Sequence, residues 1–343
     1  MGAGIQWQDA YGFAEKHNIT LVGGSDRSVG SVGGWLQGGG HGMLSNTMGL
    51  GADRALQFKV VTPGGQYLTA NACQNQDLFF ALRGGGGGTY GVVMEATVLA
   101  SPQVTVQMAV VSFKDAKEQL TKDLWSTMTS NSIRWAQEGW GGIATNQIAI
   151  YVNPRLNKDE ASKSMAPFID LGKRFQRENV TGAVATMIEF PSWGQYFEWF
   201  SNTNVAAAGI PLALGSRLIN KENLESPEKQ EAVVSALLNA SKITPRLIMH
   251  SSAPFSHPGD DLTSVTKAWR SSVYHITVIS SWNWNTTTED KQKAYGAVTR
   301  SMDYLRNLTP AAAYVNEADV YEPNHEETFW GSNYERLLEI KQK

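Results

Sequence analysis

The chain has 343 residues, a formal net charge of −3, 42% hydrophobic and 18% charged residues, and one cysteine. That length leaves room for two lobes, each with its own core, and no apolar run approaches the roughly 20 residues that span a bilayer. The slight negative charge and the lack of a basic stripe exclude a general nucleic-acid binder. Cys73 alone excludes an internal disulfide, a cysteine zinc site and an iron–sulfur cluster, and six scattered histidines leave no metal site expected.

In chain order, residues 5–18 carry Trp7, Ala10, Tyr11, Phe13 and Ala14 at helical spacing, with Asn18 as a stop signal. A short strand at 19–22 then runs into residues 22–53, which hold eleven glycines and hardly a long aliphatic side chain. Glycine brings no apolar area and loses the most backbone entropy on ordering, so such a segment suits a place where backbone approaches a ligand closely. Strands at 56–62 and 66–70 flank the turn Pro63-Gly64-Gly65. A short helix at 76–83 leads into a second glycine cluster, 83–93 (RGGGGGTYGVV), and a strand at 91–99. Residues 86–91 satisfy G-x-G-x-x-G, but a helix precedes them and a strand follows. That is the reverse of the strand–loop–helix order of a dinucleotide fingerprint, so the motif is read as close backbone approach and not as a Rossmann site.

Pro102 marks a boundary. Beyond it, strands are expected at 104–113, 133–139, 147–152, 183–190, 214–219, 246–251 and 273–282, and helices at 115–130, 159–177, 221–241 and 288–308. Trp140-Gly141-Gly142 reads as a short antiparallel link. The fold class is therefore α+β, with an antiparallel sheet that carries helices on one face and leaves the other to roof a ligand. The last stretch, 314–343, is dense in polar and aromatic residues and closes on a helix at 334–341. The division follows as 1–102, 103–308 and 309–343. Sequons at Asn18, Asn179, Asn239, Asn285 and Asn307 point to a secretory route, although GAGIQWQDAYGF after Met1 is not a signal peptide.

Three separated motifs carry a resemblance. SVGSVGGWLQGGGHG with GLGAD (28–53), LRGGGGGTYGVV (82–93) and YVNEAD…EPN…FWGSNYERLLEIK (314–341) resemble, in order, the berberine-bridge-enzyme-like branch of the vanillyl-alcohol-oxidase flavoproteins, with their PCMH-type FAD-binding fold. The stretches FPSW (190–193), GSRLI (215–219) and AWRSSVYHITVISSW (268–282) match in character. The resemblance implies FAD as cofactor. In the first cluster it implies contacts from Ser28, Gly30, Ser31, Val32, Gly33, Gly34, Gly38, Gly39, Gly40, His41, Gly42, Leu50 and Asp53. Gly86, Gly87, Gly88, Thr89, Gly91, Val92 and Val93 would line the adenosine diphosphate half, and Asn333 and Tyr334 would return from the tail. Asp26 stands where many relatives carry a cysteinyl link, and His41 is expected as a pocket residue. No counterpart is found here for the phosphate-binding subdomain that carries the family's histidyl link, or for its last strand.

The implied activity is an oxidase that takes a hydride from a C–H beside a hydroxyl or amine of a small metabolite or sugar and passes electrons to oxygen. Such chemistry needs a base beside the reacting carbon. Candidates are His275, Tyr274, Arg217 and Glu138, with Tyr314 and Asn316, and Glu317 beside them. The rival readings are a catalytically silent binding protein and an incomplete gene product. Substrate and oligomeric state stay open.

Overall fold

The computed structural model describes residues 1–203, 209–260 and 262–343. Its strands are β1 (Ile19–Thr20), β2 (Ala55–Val61), β3 (Tyr67–Asn71), β4 (Val92–Val98), β5 (Ser101–Pro102), β6 (Val106–Ser112), β7 (Gly141–Ala144), β8 (Ile148–Asn153), β9 (Val184–Phe190), β10 (Leu212–Asn220), β11 (Arg246–Ser251) and β12 (Ser272–Ser281). They form a β1–β5 pair, a three-stranded sheet ordered β3–β2–β4, and a seven-stranded sheet ordered β10–β12–β11–β7–β8–β6–β9. The pairings of the large sheet are antiparallel, as the α+β reading requires.

Side chains of a strand alternate between faces, and the large sheet uses this fully. Tyr274, Ile276 and Val278 of β12, Leu247 and Met249 of β11, and Ala149 and Tyr151 of β8 join one core with the helices Glu118–Glu138, Ala166–Arg177, Pro227–Ile243 and Thr288–Arg306. On the other face, Met108 and Val110 of β6 and Ile150 of β8 pack under Trp7, Tyr11, Trp193, Tyr196 and Phe197. Trp193 to Phe197 belong to the helix Trp193–Thr203, which periodicity alone did not reveal. Much of the β10–β12–β11–β7 part of that face fronts a cavity instead.

Three expected elements change. Residues 133–139 are not a strand but the last turns of the 21-residue helix Glu118–Glu138. Ile133 and Trp135 look β-like locally, yet Met128, Ser132, Trp135 and Ala136 bury at helical spacing, and Gly139 (φ 97°) stops the helix in the left-handed region. The link at Trp140-Gly141-Gly142 begins β7, which pairs with both β8 and β11. A methyl on Gly141 would run into the Met43 carbonyl, so only glycine lets the first cluster lie against this strand. The helix expected at 159–177 is two helices, Lys158–Ser164 and Ala166–Arg177, divided at Met165 with Pro167 in the opening turn of the second.

The tail returns to the first part of the chain. Leu337 packs with Phe58, Phe79, Phe80 and Tyr90, the Tyr90 hydroxyl donates to the Leu337 carbonyl at 3.3 Å, and Trp330 Nε1 donates to the Gly84 carbonyl at 3.2 Å. Among the described residues, no helix is long and apolar enough to cross a membrane.

Candidate active site

A cavity of about 850 Å³ lies between the first glycine cluster and the bare face of the large sheet. Gly24, Asp26, Val29, Trp35 and His41 form one wall, and Ile143, Leu214, Ile248, Thr277 and Ile279 the other. A polar cluster closes one end. His41, His250, Ser252, Thr277 and Glu317 line the cavity there, and His275 and Tyr314 pack behind them, fully buried.

The strand register builds the cluster. His250 of β11 stands opposite His275 of β12, their rings stacked 5.2 Å apart, and Thr277 stands opposite Ser216 of β10. Glu317 enters from the turn Val315–Glu317. Its Oε1 accepts from His41 Nε2 at 3.1 Å, and its Oε2 accepts from the Thr277 hydroxyl at 2.9 Å. Burial by itself raises a carboxyl's pKa, but the attraction and hydrogen bond of His41 prevail and hold Glu317 well below the usual carboxylate range. An ionised carboxylate only accepts, so His41 carries its proton on Nε2. In the neutral ring, Nδ1 is then free to accept from the Ser252 hydroxyl, 2.9 Å away. The result is a Ser252–His41–Glu317 chain of hydrogen bonds with its serine in the cavity wall.

Burial keeps two neighbouring imidazoles neutral. Burial pushes His250 down to about 3 and His275 well below the ordinary imidazole value, against the pull of Glu317. His275 Nε2 and the Ser216 hydroxyl lie 2.8 Å apart, and Ser216 also accepts the Tyr314 amide at 2.9 Å. His275 Nδ1 is buried with no hydrogen-bond partner. Tyr314 stands edge-on to His41 at 5.0 Å between ring centres. Its hydroxyl accepts from the Gly40 amide at 3.3 Å and from Asn316 Nδ2 at 2.7 Å.

The residues expected for catalysis divide accordingly. His275 and Tyr314 belong to the cluster, and Asn316 ties it to the first glycine turn through the Gly34 carbonyl at 2.8 Å. Three others are corrected. Tyr274 points to the helix side of β12, where its hydroxyl donates to the Met128 carbonyl at 3.1 Å. Arg217 also faces the helices, bonded to Glu322 at 2.9 Å and to Thr309 at 2.9 Å, beside Arg306 with Asp319 and Glu322. Glu138 ends the long helix, accepting from Ser164 and pairing with Arg134. The missed residues are His250, Ser252, Thr277 and Ser216. Their signal was strand parity: residues 246, 248 and 250 share a face, as do 275, 277 and 279.

The residues expected at the cofactor also separate. The glycine clusters touch, Gly86 donating to the Gln37 carbonyl at 3.0 Å. A methyl on Gly87 would meet Gly34 Cα at 2.8 Å, whereas one on Gly30, Gly33, Gly34 or Gly88 would meet nothing within 4 Å. These four present bare backbone to open space, which fits a flat, polar-edged group lying close to the main chain. Ser28 bonds Asp26 at 2.6 Å, Ser31 donates to the Ile5 carbonyl at 2.9 Å, and Thr89 gives its carbonyl to Lys341. Gly39 (φ 122°) and Gly40 (φ 73°) supply left-handed backbone before His41, Gly38 abuts Asn316, and a methyl on Gly42 would strike the Gly23 carbonyl. The remaining ones are structural here. Val32, Leu50 and Val93 are core residues, and Asp53 pairs with Arg270 at 2.6 Å. Gly91 lies against the Val61 carbonyl just before β4, and Val92 opens that strand opposite Val61, 65% exposed. Asn333 bonds the Val265 carbonyl at 2.9 Å, and Tyr334 stacks on Trp330.

Comparison with known proteins bears on the fold and the cofactor class. Residues 1–71 match the FAD binding domain family and residues 313–343 the berberine and berberine-like family. An FAD-linked oxidoreductase of Aspergillus flavipes is 31% identical over 384 residues, covering 100% of this chain and 61% of its own length. One from Chaetomium globosum is 34% identical, covering 99% and 54%. The crystal structure of a VAO-type flavoprotein from Myceliophthora thermophila C1 superposes with a TM-score of 0.87 at 27% identity, covering all of this chain and 64% of that one. The berberine bridge enzyme of Eschscholzia californica, at 18% identity and a TM-score of 0.77, shares the fold. The chain thus spans less than two thirds of the two oxidoreductases and of the VAO-type flavoprotein, and 73% of the berberine bridge enzyme.

Fold and cavity together define a VAO-type flavoprotein scaffold. The ends of the chain match these two family models, and along its length the chain is similar to FAD-linked oxidoreductases and VAO-type flavoproteins.

Proposed function

We propose that the protein is an FAD-dependent oxidase of a small alcohol or amine, and that the Ser252–His41–Glu317 chain removes the substrate's proton. The carrying observation is that this chain ends in a serine hydroxyl at the polar end of a mostly apolar cavity walled by the first glycine cluster. The bare backbone of residues 30–34 and 86–88 would hold the flavin, which when bound accepts the hydride and returns the electrons to molecular oxygen. With Asp26 at the family's cysteinyl position, no thioether forms there. Residues 1–102 and 309–343 carry the cofactor, and 103–308 the substrate wall.

The protein's own part is proton handling and exclusion of water. A substrate hydroxyl beside Ser252 hydrogen-bonds to its Oγ. As the C–H bond breaks, Ser252 takes the substrate proton and gives its own to His41 Nδ1. Glu317 holds the ring orientation and stabilises the imidazolium that forms. His250 and His275, kept neutral by burial, add no competing positive charge beside it. Ile143, Leu214, Ile248 and Ile279 give the cavity its apolar walls.

All five sequon asparagines are exposed, which supports glycosylation along a secretory route; a shift on deglycosylation of the secreted protein checks it. For the activity, the test is FAD titration followed by anaerobic mixing with alcohols and amines. Yellow protein whose flavin bleaches with a substrate and recolours in air is expected. A colourless protein that FAD cannot reconstitute would overturn the reading in favour of a catalytically silent one.

A further inference from the structure

We infer that Arg246 selects substrates with a carboxylate at the end remote from the reacting carbon, an assignment that rests on the oxidase reading above. Arg246, Ile248 and His250 occupy the same face of β11, and all three line the cavity. Across the ladder they stand opposite Ile279, Thr277 and His275 of β12. The cavity floor is therefore a run of three rungs: a cation beside an isoleucine, an isoleucine beside a threonine, and the two histidines of the polar cluster.

At a rise of about 3.3 Å per residue, Arg246 and His250 lie roughly 13 Å apart along the strand. Among the described residues that line the cavity, Arg246 is the sole lysine or arginine. Arg27, Arg155 and Arg270 hold carboxylates or carbonyls, whereas no hydrogen bond or ion pair engages the Arg246 guanidinium among the described residues. A guanidinium has five donors in a planar fork that matches a carboxylate in two parallel hydrogen bonds. One such group, with no second cation beside it, suits a monoanion better than a phosphate dianion. The apolar span between this cation and the polar cluster suits an aliphatic body. The substrate class is thus an amphipathic hydroxy acid, its hydroxyl at Ser252 and its carboxylate at Arg246.

Isothermal calorimetry on the FAD-reconstituted protein under nitrogen tests this with two probes of equal length, ω-hydroxydodecanoic acid and dodecanediol. The acid is expected to bind about tenfold or more tightly than the diol, as a charge-assisted pair predicts. Arg246→Ala and Arg246→Gln should each abolish that preference while leaving diol affinity unchanged, and Arg246→Lys should keep part of it. Equal binding of acid and diol by the unaltered protein, or a preference that survives in the glutamine variant, would overturn the assignment. Turnover is read separately by flavin bleaching. A carboxylate preference without any bleaching therefore condemns the oxidase reading, whereas bleaching without a preference condemns the role of Arg246.

Discussion

The two faces of the seven-stranded sheet are built from the same strands, often from adjacent residues, and do opposite things. Toward the helices, Tyr274, Ile276 and Val278 join a core that includes Trp125, Trp135 and Trp140, with Arg217 and Glu322 as a buried ion pair. Toward the cavity, His275 and Thr277 join Ser216, His250 and Glu317. The first face spends its polar atoms on mutual satisfaction. The second gathers its own into a hydrogen-bonded cluster at one end of a cavity, with His250, Thr277 and Glu317 in the lining. The difference teaches that a titratable residue in a strand says little until its parity is known.

The largest effect should come from breaking the cavity face. Removing a general base costs on the order of 10²–10⁴ in rate, so His41→Ala and Ser252→Ala should slow anaerobic flavin bleaching by at least the lower figure. Glu317→Gln should do nearly as much, because it frees the imidazole to take the wrong tautomer. Folding should survive all three by circular dichroism. Unchanged bleaching in His41→Ala would remove the proton relay from this face.

Breaking the helix face should do the reverse. Trp135 is fully buried against Tyr151 and Phe168, so Trp135→Ala should cost about 3–5 kcal/mol of stability, read as a lower denaturation midpoint. Flavin reduction per folded molecule should barely change. A variant that folds as well as the parent but no longer bleaches would show that the two faces are coupled.

Acid should separate the faces by sign. A histidine whose folded pKa lies below its unfolded 6.5 favours folding fully above pH 6.5, and that contribution is lost as pH falls toward the folded value, which for His250 is about 3. His275 shifts the same way. Glu317, held below its ordinary 4.5, adds a loss that begins only beneath pH 4.5. Thermal midpoints should therefore fall steadily between pH 6.5 and 4.5, by up to roughly 1.4 kcal/mol per pH unit for each histidine. His250→Gln should flatten that slope by about half. A slope unaltered in the variant would mean that His250 titrates normally.

How much of this was legible beforehand follows from the same parity. The α+β class, the positions of β8 to β12 and the tail's return were readable from β-branched runs and from motifs, because those signals are local. The first glycine cluster was readable as a place of close backbone approach for the same reason, and part of it walls the cavity. The stretch 133–139 was not, since Ile133 and Trp135 satisfy a strand as well as a helix, and only the packing of Trp135 with Tyr151 decides. The Ser252–His41–Glu317 chain joins residues 41, 252 and 317, brought together by β-pairing and by Gly39 and Gly40, and no spacing in the sequence encodes it. The strand expected at 91–99 was legible too, and it appears as β4, where the pairing of Val92 with Val61 fixes the start.

The smallest expected effect is the sharpest test of parity, because it compares two neighbours in one strand. Tyr274 and His275 were both plausible bases from sequence, and their side chains leave β12 on opposite sides. The Tyr274 hydroxyl donates to the Met128 carbonyl at 3.1 Å and sits 3.4 Å from the Tyr151 hydroxyl. Met128 lies inside the helix Glu118–Glu138, where its carbonyl already belongs to the helical ladder. Tyr274→Phe therefore leaves no charged or stranded group and should cost about 0.5–1.5 kcal/mol, the net worth of one ordinary hydrogen bond. Flavin bleaching should be unchanged. His275→Phe should instead disturb Ser216, Tyr314 and the ring stack with His250, and should alter the pH profile of bleaching at equal stability. If Tyr274→Phe slowed bleaching by the hundredfold expected of a lost base, the β12 register would be shifted by one residue, and the helix face, not the cavity face, would meet the substrate.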